Sequence, residues 1–154
     1  MNIQDACDYI IVKVKEADAT LSLLKLQKLL YYVQAWYLAF NSSTLFDGKF
    51  QAWVHGPVNR QIYDRFAATK SLYSDVSRSD VREGFDSDKI PIELRNHIDT
   101  VLEVYAKYTG AQLEAMTHEE RPWVEARKGY SASARCENEI SEASMKDYYF
   151  ARLG

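Results

Sequence analysis

From Leu21 to Phe40 the chain reads LSLLKLQKLLYYVQAWYLAF, with no Gly or Pro and with apolar or aromatic residues at nearly every helical phase. This pattern predicts one helix of about five turns over residues 22–41. Its polar positions form no broad solvent face. Ser22, Lys25 and Lys28 lie on one side of the first two turns, and Gln27, Gln34 and Asn41, spaced seven apart, make a thin stripe on the other. A helix apolar almost all round is one wrapped by other elements, so this run is expected at the centre of the fold. Lys and Gln interrupt it too often for a membrane span, which needs about 20 apolar residues. Lys25 and Lys28 fall near the positive end of the helix dipole. That placement predicts a carboxylate partner for each, or an acidic partner protein facing them.

The remaining pattern is also mostly helical. Asn2 and Asp5 begin a helix over 3–17, with Ala6, Tyr9, Ile10, Lys13 and Val14 on one face. Asp47-Gly48 is a turn signal, and Phe50 to Val54 has strand-like content, predicting a short strand or hairpin near 45–55. Gly56 is expected to end it and Pro57 to open a helix running to about Ala68. On that helix Val58, Ile62, Tyr63 and Phe66 would face inward, and Asn59, Arg60, Asp64 and Arg65 outward. Residues 70–89 are polar and loop-like. Pro91 opens an amphipathic helix to about Tyr108, along Leu94, Ile98, Val101, Leu102, Tyr105 and Tyr108. A short helix at 111–116 follows. Thr117 with Glu120 reads as a capping box for another short helix containing Pro122 and Trp123. Tyr130 to Arg135 reads as a mobile segment, and Ser141 caps a last helix with Met145, Tyr148, Tyr149 and Leu153 inward. The expected fold is mainly α: a single compact domain, residues 1–154, of about six or seven helices around the central helix, with a short β strand or hairpin near 45–55.

Composition narrows the chemistry. The 154 residues carry a net charge of −3 and include 11 Tyr, 6 Phe and 3 Trp, more tyrosine than a core alone uses, which points to a contact surface. Residues 1–70 hold 8 basic against 6 acidic side chains and the rest are acidic, so no basic stripe argues for nucleic acid as a partner. Cys7 and Cys136 are isolated, and the N-terminus lacks a signal-peptide pattern, so a cytoplasmic protein is expected. His55, His97 and His118 have no metal-ligand spacing, and no metal or cofactor motif is present. His118-Glu119-Glu120 could do acid–base work, but reads more simply as the first turn of a helix. Cys7 could act as a nucleophile only if a histidine approached it. Asn59, Arg60, Gln61 and Arg65 on one helix could read base edges, though an ordinary solvated face fits an acidic chain better. No enzyme is expected.

Four blocks in order carry a family resemblance. Leu24-Lys25-Leu26-Gln27-Lys28-Leu29-Leu30-Tyr31-Tyr32, with Trp36 and Leu38, is similar to a KLQKLLYY opening signature. Leu45-Phe46-Asp47, Ala52-Trp53 and Gly56-Pro57-Val58 with Tyr63 resemble an "LF…AW..GPV…Y" block. Leu113, Thr117-His118 and Pro122-Trp123 resemble "L..LTH…PW", and Ile140 to Phe150 the closing helix. Together they resemble the Panacea-domain family of SocA-like antitoxins and phage-associated proteins. The resemblance implies an antitoxin without cofactor or catalytic residues. It would bind a cognate protein toxin made from a neighbouring gene, either sequestering it or presenting it to a cytoplasmic protease system. A phage-associated or transcriptional regulator that binds DNA is the alternative. The signature residues, from Lys25, Leu26, Gln27, Lys28, Leu29, Tyr31 and Tyr32 through Trp53, Gly56, Pro57 and Val58 to His118, Pro122 and Trp123, are expected to be scaffold. Partner binding is expected beside them, at Trp53, His55, Arg60 and Arg65, because Trp and Arg are enriched in interface hot spots.

Overall fold

In the computed structural model, which describes residues 1–153, the predicted central helix is α2, Leu23–Asn41. Ser22 caps it by accepting a hydrogen bond from the Lys25 amide, and Ser42 ends it in the left-handed region. Six further helices surround it: α1 (Ile3–Glu16), α3 (Arg60–Phe66), α4 (Ile92–Tyr105), α5 (Gly110–His118), α6 (Arg121–Ala126) and α7 (Glu142–Phe150). An antiparallel hairpin joins β1 (Phe50–Trp53) to β2 (Gly56–Asn59). Helix α2 packs against α1, α4, α5, α7 and β2. Leu26, Leu29, Leu30, Tyr32 and Val33 are accordingly fully buried. A side chain of this kind contributes roughly 1.5–3 kcal/mol when removed from water, so the apolar girth of α2 is the main source of the core. The expected mainly α architecture with one small hairpin is the observed one.

The polar residues of α2 have a different role from the one their positions predict. Among the described residues, Lys25 and Lys28 have no carboxylate at ion-pair distance; each donates to a backbone carbonyl, Lys25 Nζ to Ala106 O at 2.5 Å and Lys28 Nζ to Pro57 O at 3.1 Å. Ala106 is the C-cap of α4, so the Lys25 ammonium sits at the negative end of that helix and the dipole problem at its own end is offset there. The stripe is not a surface either, except at exposed Asn41. Gln27 pairs with both backbone groups of Asn59, accepting from N at 2.9 Å and donating to O at 3.1 Å. Gln34 accepts from the Leu45 amide at 2.8 Å and donates to Phe46 O at 2.7 Å.

These bonds also explain where the boundaries move. Gly56-Pro57-Val58-Asn59 is strand, not the first turn of a helix, because α2 supplies partners for its free edge. Asn59 is the buried N-cap of α3, accepting from the Ile62 amide, and α3 starts only at Arg60. Gly56 has φ +104°, and a Cβ there would lie 2.5 Å from Lys28 Cε, so only glycine fits this turn. Thr109 with Gln112 forms the capping box, at the start of α5; Thr117 is buried near the end of the same helix. His118 therefore closes a helix rather than opening one, and Glu120 is the N-cap of α6.

Two loops are tied down. Residues 72–76 run beside the start of α2, where the Leu72 and Ser74 carbonyls accept the Leu24 and Leu23 amides that a helix N-terminus leaves free. The segment predicted mobile at 130–135 is held by buried Arg127, which donates to the carbonyls of Ala52, Ser131 and Ala134.

Burial drives the Lys28 ammonium down to about 7, against a smaller opposing pull from Glu114. Above that pH the unfolded chain holds a proton on Lys28 that the folded chain has released, so stability should rise with pH from about 7. Near pH 9 the buried Cys7 thiol, raised from 9.0 to about 12, begins to act in the opposite sense. Thermal melts should therefore give a higher midpoint at pH 9 than at pH 7, and Lys28→Met should flatten that difference. A wild-type midpoint that falls across this window contradicts the assignment.

Candidate partner-binding face

At the hairpin turn, side chains from three separated parts of the chain converge on one groove of about 560 Å³. Its floor is apolar, with Leu23, Val58, Ala67 and Leu72 contributed by α2, β2, the C-cap of α3 and the loop after it. Its wall is Trp53 and Tyr63, packed edge to face with centroids 5.0 Å apart. The Arg60 guanidinium lies 5.5 Å from each of those two ring centroids. Contact with two ring faces at this distance favours a cation and restricts its rotamers, so Arg60 is pre-organised at the groove rim.

The rim is charged on its other side as well. Residues 138–140 pair with the outer edge of β1, where the Ala52 amide donates to Asn138 O at 2.8 Å and the Ile140 amide to Phe50 O at 2.7 Å. That pairing brings Arg135 and Glu137 to the groove. Glu137 accepts from Arg60 at 3.1 Å and from Arg135 at 3.2 Å. Arg135 first, and Arg60 after it, hold the Glu137 carboxyl below its usual range. Lys70 also lines the groove but is turned to Asp80 at 3.1 Å.

Of the four expected contact residues, the structure gathers Trp53, His55 and Arg60 at this groove. Trp53 is half-buried; its indole N–H donates to Gln51 at 2.7 Å and its carbonyl accepts from Trp123 at 2.9 Å. His55 is exposed at the turn, with Nδ1 3.1 Å from Glu114. Arg65 is placed elsewhere. It does not project outward but turns back to fully buried Asp8 at 2.5 Å, and also bonds Gln4 and the Asp80 carbonyl. Arg82 bonds the other Asp8 oxygen at 2.6 Å and also Asp5. Arg65 thereby clamps α1, α3 and the loop at 78–82 together. Tyr63, expected inward, stands 39% exposed. Arg135 and Glu137 escaped sequence reasoning because no local pattern shows that residues 138–140 add to β1.

The residues expected to be scaffold are interior, apart from half-buried Trp53 and His118. Lys25, Leu26, Gln27, Lys28, Leu29, Tyr31, Tyr32, Gly56, Pro57, Val58, Pro122 and Trp123 are all buried. His118 stacks on Trp123 with centroids 4.0 Å apart, and burial holds its imidazole below its usual value. Beneath it in the core, Tyr32 and Tyr149 both donate to Glu120 Oε1, at 2.8 and 2.7 Å. Burial raises the Glu120 carboxyl, with the two hydroxyls opposing the shift.

A family model described as "Antitoxin SocA-like, Panacea domain" matches residues 26–124, well over half of the chain. The chain is also 27% identical over 143 residues to a protein named antitoxin SocA from Caulobacter vibrioides (strain NA1000 / CB15N). The aligned part covers 89% of this chain and 76% of that one. No solved structure gives a significant match. The family match runs from α2 into α6, so it includes Trp53, His55, Arg60, Tyr63 and Leu72 but not Arg135 or Glu137.

The two arginines of α3 should separate in a stability measurement. Arg65→Glu opposes a buried carboxylate and should destabilise by about 3 kcal/mol or more, read as a shift in the urea midpoint. Arg60→Glu, at an exposed pair, should change stability by no more than about 1 kcal/mol. Equal losses would show that Arg60, too, is a structural anchor.

Proposed function

The chain belongs to the SocA-like Panacea-domain antitoxin family, and on that premise we propose that it neutralises a cognate protein toxin, encoded beside it, by direct binding. The observation that carries the proposal is the groove at the hairpin turn, where Trp53, His55 and Arg60 converge beside an apolar floor. Trp, Tyr and Arg at the edge of an apolar depression are the residues that dominate interface energetics. The family-signature residues behind them are buried and serve to hold that surface in place.

Binding without catalysis fits the environments of the reactive side chains. The Cys7 thiol is buried and its pKa pushed up to about 12, which keeps it protonated and non-nucleophilic. His118 is packed against Trp123, with its Nε2 buried. The DNA-reading alternative loses its geometry, since Arg60 and Arg65 do not share a face and Asn59 is a buried helix cap. Cys7 and Cys136 are both unpaired, as suits a reducing cytoplasm.

Co-expression with the product of the adjacent gene tests the reading. The wild-type chain should relieve the growth arrest that product causes and should co-purify with it. Trp53→Ala and Arg60→Glu should each weaken the complex by about 30-fold or more, the scale of a hot-spot loss of about 2 kcal/mol, and should impair rescue. Failure of the wild-type chain both to rescue and to form a complex rejects the antitoxin role. Rescue unaffected by either variant moves the interface away from this groove. Toxin levels distinguish the route: constant in rescued cells for sequestration, falling in a protease-dependent way for presentation to a protease.

A further inference from the structure

We infer that Arg127 is the positioning residue of the groove: without touching the toxin, its buried guanidinium fixes the rim segment 135–137 against the wall at Trp53, and toxin binding depends on that placement. This rests on the groove being the toxin-contact surface. Arg127 is the C-cap of α6 and is 4% exposed. Among the described residues it has no carboxylate at ion-pair distance. Its donors go to three carbonyls on two separate parts of the chain: Nη1 to Ala52 O at 2.8 Å, and Nη2 to Ser131 O at 2.8 Å and to Ala134 O. Ala52 precedes Trp53 on β1, and Ala134 precedes Arg135, so one planar group joins the base of the wall to the base of the rim. The guanidinium also lies 5.0 Å from the Trp123 ring centroid, and the Trp123 indole donates to Trp53 O at 2.9 Å. The wall is thus held directly at Ala52 and, through Trp123, at Trp53.

The rim segment has little else to fix it. From Lys128 to Arg135 no residue is buried, so the turn has no apolar anchor of its own. The ion pair of Glu137 with Arg60 joins two well-exposed side chains, and pairs in such settings contribute little. Backbone pairing with β1 begins only at Asn138. A buried guanidinium is costly unless its donors are met. Two of the three carbonyls that meet them here belong to the turn at 131–134, and they do so only while that turn is docked. Burial of Arg127 and placement of the rim are therefore one equilibrium. A lysine ammonium is a point donor and does not reproduce the planar fork that reaches both sides. Arg127 lies beyond residue 124, where the family match ends.

The test compares the full-length wild-type chain with Arg127→Lys and Arg127→Met in two measurements. Alkylation by iodoacetamide, read by mass spectrometry, reports the rim: Cys136 lies between Arg135 and Glu137 and is 3% exposed, whereas Cys7 is fully buried against α1's core partners and serves as the internal control. Both variants should label Cys136 at least about tenfold faster and leave Cys7 at its wild-type rate, because only the rim is released. Affinity for the product of the adjacent gene should fall about tenfold, the loss expected when the rim is docked only about a tenth of the time. Arg127→Lys keeps the charge and carries the test if Arg127→Met does not fold. Equal acceleration at both cysteines overturns the inference, since it shows a general loss of stability. Unchanged labelling of Cys136 overturns it too, and so does wild-type affinity in a variant whose Cys136 is released. A wild-type complex that both variants match rejects this inference alone and leaves the antitoxin role intact. No complex with the wild-type chain rejects the antitoxin reading and this inference with it.

Discussion

The fold depends on one matching of polar groups: α2 side chains complete the hydrogen bonding of a buried strand edge. A two-stranded hairpin has two free edges, and β2 presents its own to the core. Gln27 supplies both partners for Asn59, and Lys28 supplies one for Pro57. Leaving each such group unpaired would cost about 1–3 kcal/mol, so the hairpin can be buried only where α2 carries these residues. Gln34 performs the same task for Leu45 and Phe46 about two turns further on. The hairpin in turn positions the Trp53–Gly56 turn and the start of α3, and with them the groove.

A second constraint concerns α3, which is only seven residues long. Arg60 and Arg65 are five residues apart, and a helix turns about 100° per residue, placing them about 140° apart around the axis. One of the two must face the body of the protein whenever the other faces solvent. Asp8, buried on α1, decides which: it binds Arg65, and Arg60 is left to Trp53, Tyr63 and Glu137. The same element thus supplies a clamp between three parts of the chain and a cation at the candidate interface. Its two arginines are alike in sequence and opposite in role.

The groove joins elements with different dependence on the core. Val58 and Leu23 belong to segments held by α2, whereas Arg135 and Glu137 reach the site through the pairing of residues 138–140 with β1. The floor therefore shares the packing of the core, while the charged side chains of Arg135 and Glu137 are exposed, on either side of buried Cys136. An interface of this design can keep its floor while its rim changes, because replacing a rim residue disturbs no core packing. The family match ends before Arg135 and Glu137.

Local spacing, with cap and turn signals, determined the central helix, the order of the surrounding helices and some β structure near 45–55, because each depends on neighbouring residues and on burial of an apolar stripe. The ordered signature blocks carried the family. The tertiary structure alone decided what the polar residues of α2 do, since a lysine or glutamine within an apolar run is equally compatible with a surface stripe and with a buried backbone partner. It also decided that Gly56-Pro57 continues a strand, since the bonds that stabilise that strand come from residues some 30 positions earlier. Trp53, His55 and Arg60 were legible as a neighbourhood because they lie close in sequence. Arg65 was misplaced, and Arg135 and Glu137 were missed, for one reason: their partners, Asp8 and Arg60, are 57 to 77 residues away. No local spacing encodes contacts at that range.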